Sequence, residues 1–120
     1  AHTVSHPMLA KLTQEKVRAE IDLSRSVIEA ALSLRPEHLS YPFGDRSSAA
    51  SREFDIAAEL GFKTAVTTRP GVLFPEHGRH LMALPRVSLN GEYQRMRYVH
   101  VLLSGSATAM WNGFRRLDAA

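Results

Sequence analysis

The sequence contains no cysteine, which excludes disulfides and thiolate ligands, so any bound metal must be held by histidine, carboxylate or water. No apolar run approaches the roughly 20 residues that a membrane-spanning helix requires. No basic-then-apolar leader stands at the start, so the chain as given reads as soluble, and a secreted or periplasmic destination requires a signal upstream of Ala1. Basic runs and clusters of stacking aromatics are missing as well. The formal charge of +3 arises from Lys and Arg scattered among Asp and Glu, and nucleic acid is not an expected partner. Internal repeats and low-complexity tracts are absent.

What is present is ordinary globular material. With 120 residues, 44% of them hydrophobic and 22% charged, the chain is long enough for one domain with a buried core. Thr13 is expected to cap a first helix over about Gln14 to Ser33, with Leu12 packing on Val17. Val17, Ile21, Ser24, Val27, Ile28, Ala31 and Leu32 fall on its inward stripe, and Pro36 lies beyond its end. Leu39-Ser40-Tyr41 reads as a short strand broken by Pro42-Phe43-Gly44-Asp45. Ser47 or Ser48 is expected to cap a second helix with Phe54, Ala57 and Ala58 inward and Gly61 at its C-terminal end.

A strand over Phe62 to Thr67, a loop from Thr68 to His80 and a third strand over Leu84 to Leu89 follow, with Pro85 at its start or on an edge. Asn90-Gly91 ends that strand. Tyr93, Met96, Val99, Leu102 and Leu103, then Ala107, Met110, Trp111 and Phe114, predict two C-terminal helices separated by Ser104-Gly105-Ser106. Strands alternating with helices predict a mainly parallel α/β sheet, with functional groups gathered in loops beyond the C-terminal ends of the strands.

The histidines carry most of the chemical information. His2 and His6 stand four apart, and on a helical turn they would share a face and close on one divalent ion such as zinc. A catalytic zinc normally takes about three protein ligands and a water, so the pair is two thirds of a site. His38 reads as a loop residue and His100 as a packed or rim residue on a helix. His77 and His80 are open to three readings: a second metal pair, a catalytic acid, or solvated polar groups.

His2, Thr3 and His6, followed by Tyr41-Pro42-Phe43-Gly44 and then Ala57-Ala58-Glu59-Leu60-Gly61-Phe62, resemble the polysaccharide deacetylase family, carbohydrate esterases that include chitooligosaccharide and peptidoglycan N-deacetylases. The first three match its H-[S/T]-x-x-H metal motif, and the second group matches the latter part of its R-x-P-[F/Y]-G motif. The resemblance runs from His2 to about Leu89 and implies part of a distorted (β/α) barrel with two C-terminal helices. It implies His2 and His6 as metal ligands, with Thr3 and Ser5 orienting the imidazoles, and Pro42, Phe43, Gly44 and Asp45 as a substrate-binding wall. It also implies backbone amides near Tyr41 as the oxyanion stabiliser and an N-acetylated glycan as substrate.

Three departures shape the expectation. The family's T-F-D-D motif, which supplies the catalytic base and third metal ligand, lies upstream of the histidines and is absent because the chain starts at Ala1. Ser40 stands where the motif has arginine, so Arg46 or Arg86 would supply the positive charge. No clear L-x-H motif provides the acid, for which His80 and His77 are the substitutes. The expectation is therefore a metal-dependent N-deacetylase domain, impaired as it stands. The alternative is a non-catalytic remnant that binds glycan or protein. An uncovered sheet edge and apolar surface further predict self-association.

Overall fold

The computed structural model describes residues 1–89, 91 and 94–118. Tyr93, expected on the first C-terminal helix, and Asn90, expected to end the third strand, lie outside the described residues. The architecture is α/β, with a small parallel sheet and four α-helices: α1 Gln14–Leu32, β1 His38–Ser40, α2 Ser51–Glu59, β2 Thr64–Val66, α3 Met96–Leu103 and α4 Ser106–Trp111. Short 3-10 turns occupy Leu9–Lys11 and Pro75–Arg79.

β1 and β2 pair in parallel with Leu39 opposite Ala65. The pairing pattern extends on both sides. The Ala1 ammonium donates to the His38 carbonyl (2.8 Å) while Ser40 N–H donates to the Ala1 carbonyl (3.0 Å), laying the first residue along the outer edge of β1. On the other side Leu84 forms a single parallel bridge to Val66.

The third strand expected over Leu84 to Leu89 is reduced to that bridge. Leu84 exchanges both of its backbone bonds with β2, donating to the Ala65 carbonyl (3.0 Å) and accepting Thr67 N–H (2.9 Å), and its carbonyl also accepts the Thr67 hydroxyl (3.0 Å). The next donor, Arg86 N–H, passes over Thr67 and bonds to the Arg69 carbonyl (3.1 Å), so the regular ladder stops after one bridge.

The helices match their expected positions better than their expected caps. Thr13 occupies the N-cap of α1 in an extended conformation but makes no side-chain cap bond, and Ser33 ends the helix in the left-handed region at φ 54°. Only the first half of the predicted stripe is buried, at Val17, Ile21 and Ser24, joined by Arg25. Val27 and Leu32, further along the stripe, are exposed. The α2 N-cap is Ala50 rather than Ser47 or Ser48, with the Glu53 carboxylate accepting Ala50 N–H (2.8 Å). Ile56 rather than Ala58 is its buried partner to Phe54 and Ala57. Gly61 closes the helix at φ +79°, where Gly61 N–H reaches Ala58 and Phe62 N–H reaches Ala57.

The core lies between α1, α2 and the sheet, around Leu9, Val17, Ile21, Leu39, Tyr41, Phe54, Ile56 and Phe62. Arg25 belongs to it. Its guanidinium lies 3.9 Å from the Phe62 ring centroid and donates to the Leu60 carbonyl (2.6 Å), which gives the buried cation partners. No described helix is long and apolar enough to cross a membrane.

Candidate active site

The site grows from the outer edge of β1, beyond the C-terminal end of the sheet. After Ala1 the chain turns away through a loop in which Thr3 and His6 both take positive φ, 59° and 54°. His2 and His6 are therefore not on a helical turn. A left-handed bend brings their rings together instead, with centroids 4.9 Å apart at 69°.

Glu20 on α1 holds this loop in place. Its carboxylate accepts Val4 N–H (2.9 Å), Ser5 N–H (3.0 Å) and the Ser5 hydroxyl (2.6 Å), and these bonds, the Ser5 hydroxyl first, hold its pKa below the ordinary carboxylate value. Ser5 is thus committed to Glu20 rather than to an imidazole. The Thr3 hydroxyl, also expected to orient a ring, is buried with no partner among the described residues.

His2 is oriented by the backbone. Its Nδ1 lies 2.7 Å from the Ser40 carbonyl oxygen, and because a carbonyl only accepts, Nδ1 carries the proton and Nε2 presents a lone pair. That is the form a divalent cation requires. Ser40 also accepts Arg86 Nη1 at its hydroxyl (3.4 Å), so one residue of β1 brings Arg86 and His2 to the same place. Arg46, the other candidate cation, is instead paired with Asp118 (2.8 Å).

The opposing wall is Pro42-Phe43-Gly44-Asp45. Gly44 N–H bonds back to the Pro42 carbonyl (2.7 Å) with Phe43 at φ 61° between them, a γ-turn of the rarer, strained hand. The turn presents the Phe43 ring to His6, centroids 4.9 Å apart at 67°. Thr68 secures it, its hydroxyl donating to the Phe43 carbonyl and its N–H to the Gly44 carbonyl (3.0 Å). A Cβ on Gly44 would lie 2.7 Å from Thr68 N, and its φ of +69° is itself unfavourable for any other residue.

The turn selects one amide. Tyr41 N–H is used by the Val66 carbonyl (3.1 Å), Pro42 has none and Gly44 N–H is taken, whereas Phe43 N–H donates to no described atom. From Tyr41 to Gly44 the free donor is therefore Phe43, two residues beyond Tyr41. The Tyr41 side chain is buried, tilted against Phe54 (5.4 Å), with its hydroxyl donating to the Met82 carbonyl (3.0 Å). Burial, reinforced by the Glu53 carboxylate, raises its phenol above its ordinary value, so it anchors the strand end and exchanges no proton near neutrality. Asp45 folds the turn that follows, its carboxylate accepting Ser47 N–H (2.7 Å) and the Ser47 hydroxyl (2.6 Å). The hydroxyl is the leading cause of its lowered pKa.

Other histidines stand elsewhere. His80 is exposed in a shallow depression shared with Ser51, Phe54, Asp55 and Ala58 of α2, and the structure does not bring it to the His2–His6 pair. His77, read from sequence with solvation as one option, is buried, its Nδ1 accepting Phe74 N–H (3.0 Å). His38 begins β1, bonded to the Thr64 hydroxyl (2.8 Å), and His100 is exposed on α3. Among the described residues no group of three or more His, Asp or Glu is arranged to hold a metal ion.

Two supports were invisible to sequence reasoning. Glu20 carries the histidine loop, and nothing in its local pattern distinguishes it from a solvated helix glutamate. Arg69 lies buried behind the Phe43 turn, donating to the Ala49 carbonyl (2.8 Å) and the Asp118 carbonyl (3.0 Å). Its place after β2 was its only signal.

The parallel sheet thus carries, at the C-terminal ends of its strands, a loop that pairs two histidines and a strained turn facing them. Residues 1–65 match the polysaccharide deacetylase family model, and the chain belongs to that family. It is 36% identical over 67 residues to chitin deacetylase 1 of Cryptococcus neoformans, a match covering 56% of this chain and 14% of that protein. It also superposes on the deacetylase PplD of Streptococcus pyogenes, solved in complex with acetate, with TM-score 0.71 and 25% identity over 88% of this chain and 43% of that one. The chain thus spans less than half the length of either relative.

Proposed function

We propose that this chain forms part of a divalent-metal-dependent deacetylase that hydrolyses the N-acetyl group of amino sugars in a glycan, its sheet being one arc of a (β/α) barrel. The observation that carries the reading is the meeting of His2, His6 and the Phe43 turn within 4.9 Å ring separations. His2 through Nε2, together with His6, would hold the ion, most naturally zinc, which when bound polarises the acetamide carbonyl and acidifies a water. Phe43 N–H is the donor for the oxygen on which negative charge develops. Its strained turn fixes that donor before substrate arrives. The exposed Phe43 ring forms the wall against which the sugar lies, with the buried Pro42 fixing the turn beneath it, and Arg86, tethered to Ser40, supplies positive charge beside His2.

Neither Tyr41 through its side chain nor His80 from its present position contributes a proton to this arrangement. No described carboxylate joins the histidines, so the 120 residues alone are expected to bind zinc weakly and to turn over slowly. Calorimetric zinc titration of the chain and of His2→Ala tests the ligand assignment, with binding expected in the first and lost in the second. Equal binding by both would remove His2 from the site. Acetate release from N-acetylglucosamine oligomers, measured with and without zinc, tests the reaction. Rapid zinc-dependent release by the isolated chain would refute its impairment, and none by the full gene product would refute the deacetylase reading. Self-association through the sheet edge belongs to the same proposal, and a clean monomer by light scattering at high concentration would remove it.

A further inference from the structure

A cavity of about 570 Å³ lies outside the histidine loop, between residues 70–77, α4 and the tail 112–118. Its walls combine aromatic faces from Phe74, Trp111 and Phe114 with guanidinium groups from Arg46, Arg115 and Arg116. The charge is one-sided. Among the described residues the sole acid in its lining is Asp118, already shared between Arg46 (2.8 Å) and Arg69 (3.3 Å).

Arg116 lies 5.3 Å from the Phe74 ring centroid with Glu76 at 3.7 Å, and the Arg115 guanidinium has no partner among the described residues. His77 is the buried histidine of the lining, its Nδ1 within hydrogen-bond distance of both Phe74 N–H (3.0 Å) and the Phe74 carbonyl (3.3 Å).

Trp111 and Phe114 are 80% and 77% exposed, large aromatic faces left open by the described residues. A cavity of this size takes a ligand of one or two sugar rings. Aromatic faces suit the apolar side of such rings, and the Arg115 guanidinium, in a lining of three arginines against one acid, suits a carboxylate. Arg46 is the third residue after Phe43, so this cavity begins where the wall of the candidate active site ends.

We infer that the cavity is a subsite for a carboxylate-bearing sugar of the substrate glycan, separate from the position of the acetamide. The inference rests on the deacetylase reading for its glycan, but the binding it asserts is independent of turnover.

Trp111 is the only tryptophan, so its fluorescence reports occupancy. The probe is a hyaluronan tetrasaccharide, in which N-acetylglucosamine alternates with glucuronate, compared with neutral chitotetraose, with calorimetry on the same samples in case the indole is silent. The acidic probe should saturate the signal and bind about tenfold or more tightly than the neutral one, and Arg115→Ala should weaken it about tenfold. Added salt should weaken the acidic probe selectively. No binding of the acidic probe, equal binding of the two probes, or an Arg115→Ala variant that binds like the parent would overturn the subsite. Acidic-probe binding without acetate release by the full gene product would instead sink the deacetylase reading and leave the subsite standing.

Discussion

The segment up to Ala83 and the segment from Met96 onward use apolar residues in opposite ways. In the first, Leu9, Val17, Ile21, Tyr41, Phe54 and Phe62 are withdrawn into one core. In the second, α3 buries no residue and Met110, Trp111 and Phe114 face outward. What holds the second segment to the first is mostly polar: Asn112 Nδ2 donates to the Pro70 carbonyl (2.6 Å), and Asp118 is gripped by Arg46 and Arg69. Burial therefore builds the histidine site, while the C-terminal hairpin is attached as a cover whose outer face is free for other contacts.

The largest test of this contrast is Phe54→Ala. The ring contacts Tyr41 and lies beneath Arg69, so its loss should cost about 3–5 kcal/mol in denaturant unfolding, and a loss below 1 kcal/mol would mean that the core is not where stability resides. Gly44→Ala comes next. The forced φ and the contact with Thr68 N should cost about 1–3 kcal/mol and dislodge Phe43. An unaltered melting temperature would show that the turn relaxes freely.

Glu20→Gln is a smaller change, about 1 kcal/mol for a partly exposed carboxylate losing charge-assisted bonds. Its pH signature is more specific. With a folded pKa below the unfolded value of about 4.3, Glu20 contributes fully above that value and loses its contribution as pH falls through the folded one. The variant should therefore show a shallower loss of stability below about pH 4, and an acid limb identical to that of the parent would argue against the clamp. Trp111→Ala should be the smallest, within about 0.5 kcal/mol. A cost of several kcal/mol would erase the distinction between the two segments.

The comparison also explains what could be read from residues alone. α1, α2, β1 and β2 follow from periodicity because a buried face imposes it, and the C-terminal helices follow because their own spacing is helical even without burial. The third strand failed beyond Leu84, where Arg86 N–H bonds to the Arg69 carbonyl and leaves the register of β2 despite the β-branched composition. In the site, the pairing of His2 with His6 was legible from spacing, but its geometry was not, since positive φ at two non-glycine residues leaves no mark in the sequence. Phe43 N–H emerged only by accounting for the amides from Tyr41 to Gly44. Arg25 and Arg69 were hidden because their burial depends on carbonyls that other elements turn toward them.

Ser40 deserves to be read as a gauge of strand register. Its N–H and carbonyl both face the Ala1 side of β1, and its hydroxyl faces Arg86. In a strand these directions alternate with every residue. A one-residue slip of β1 against β2 would turn the carbonyl away from His2 and the side chain away from Arg86 in a single step. Only the correct register supplies an Nδ1 acceptor and a guanidinium tether together, so a misaligned sheet would lose its chemistry before it lost its shape.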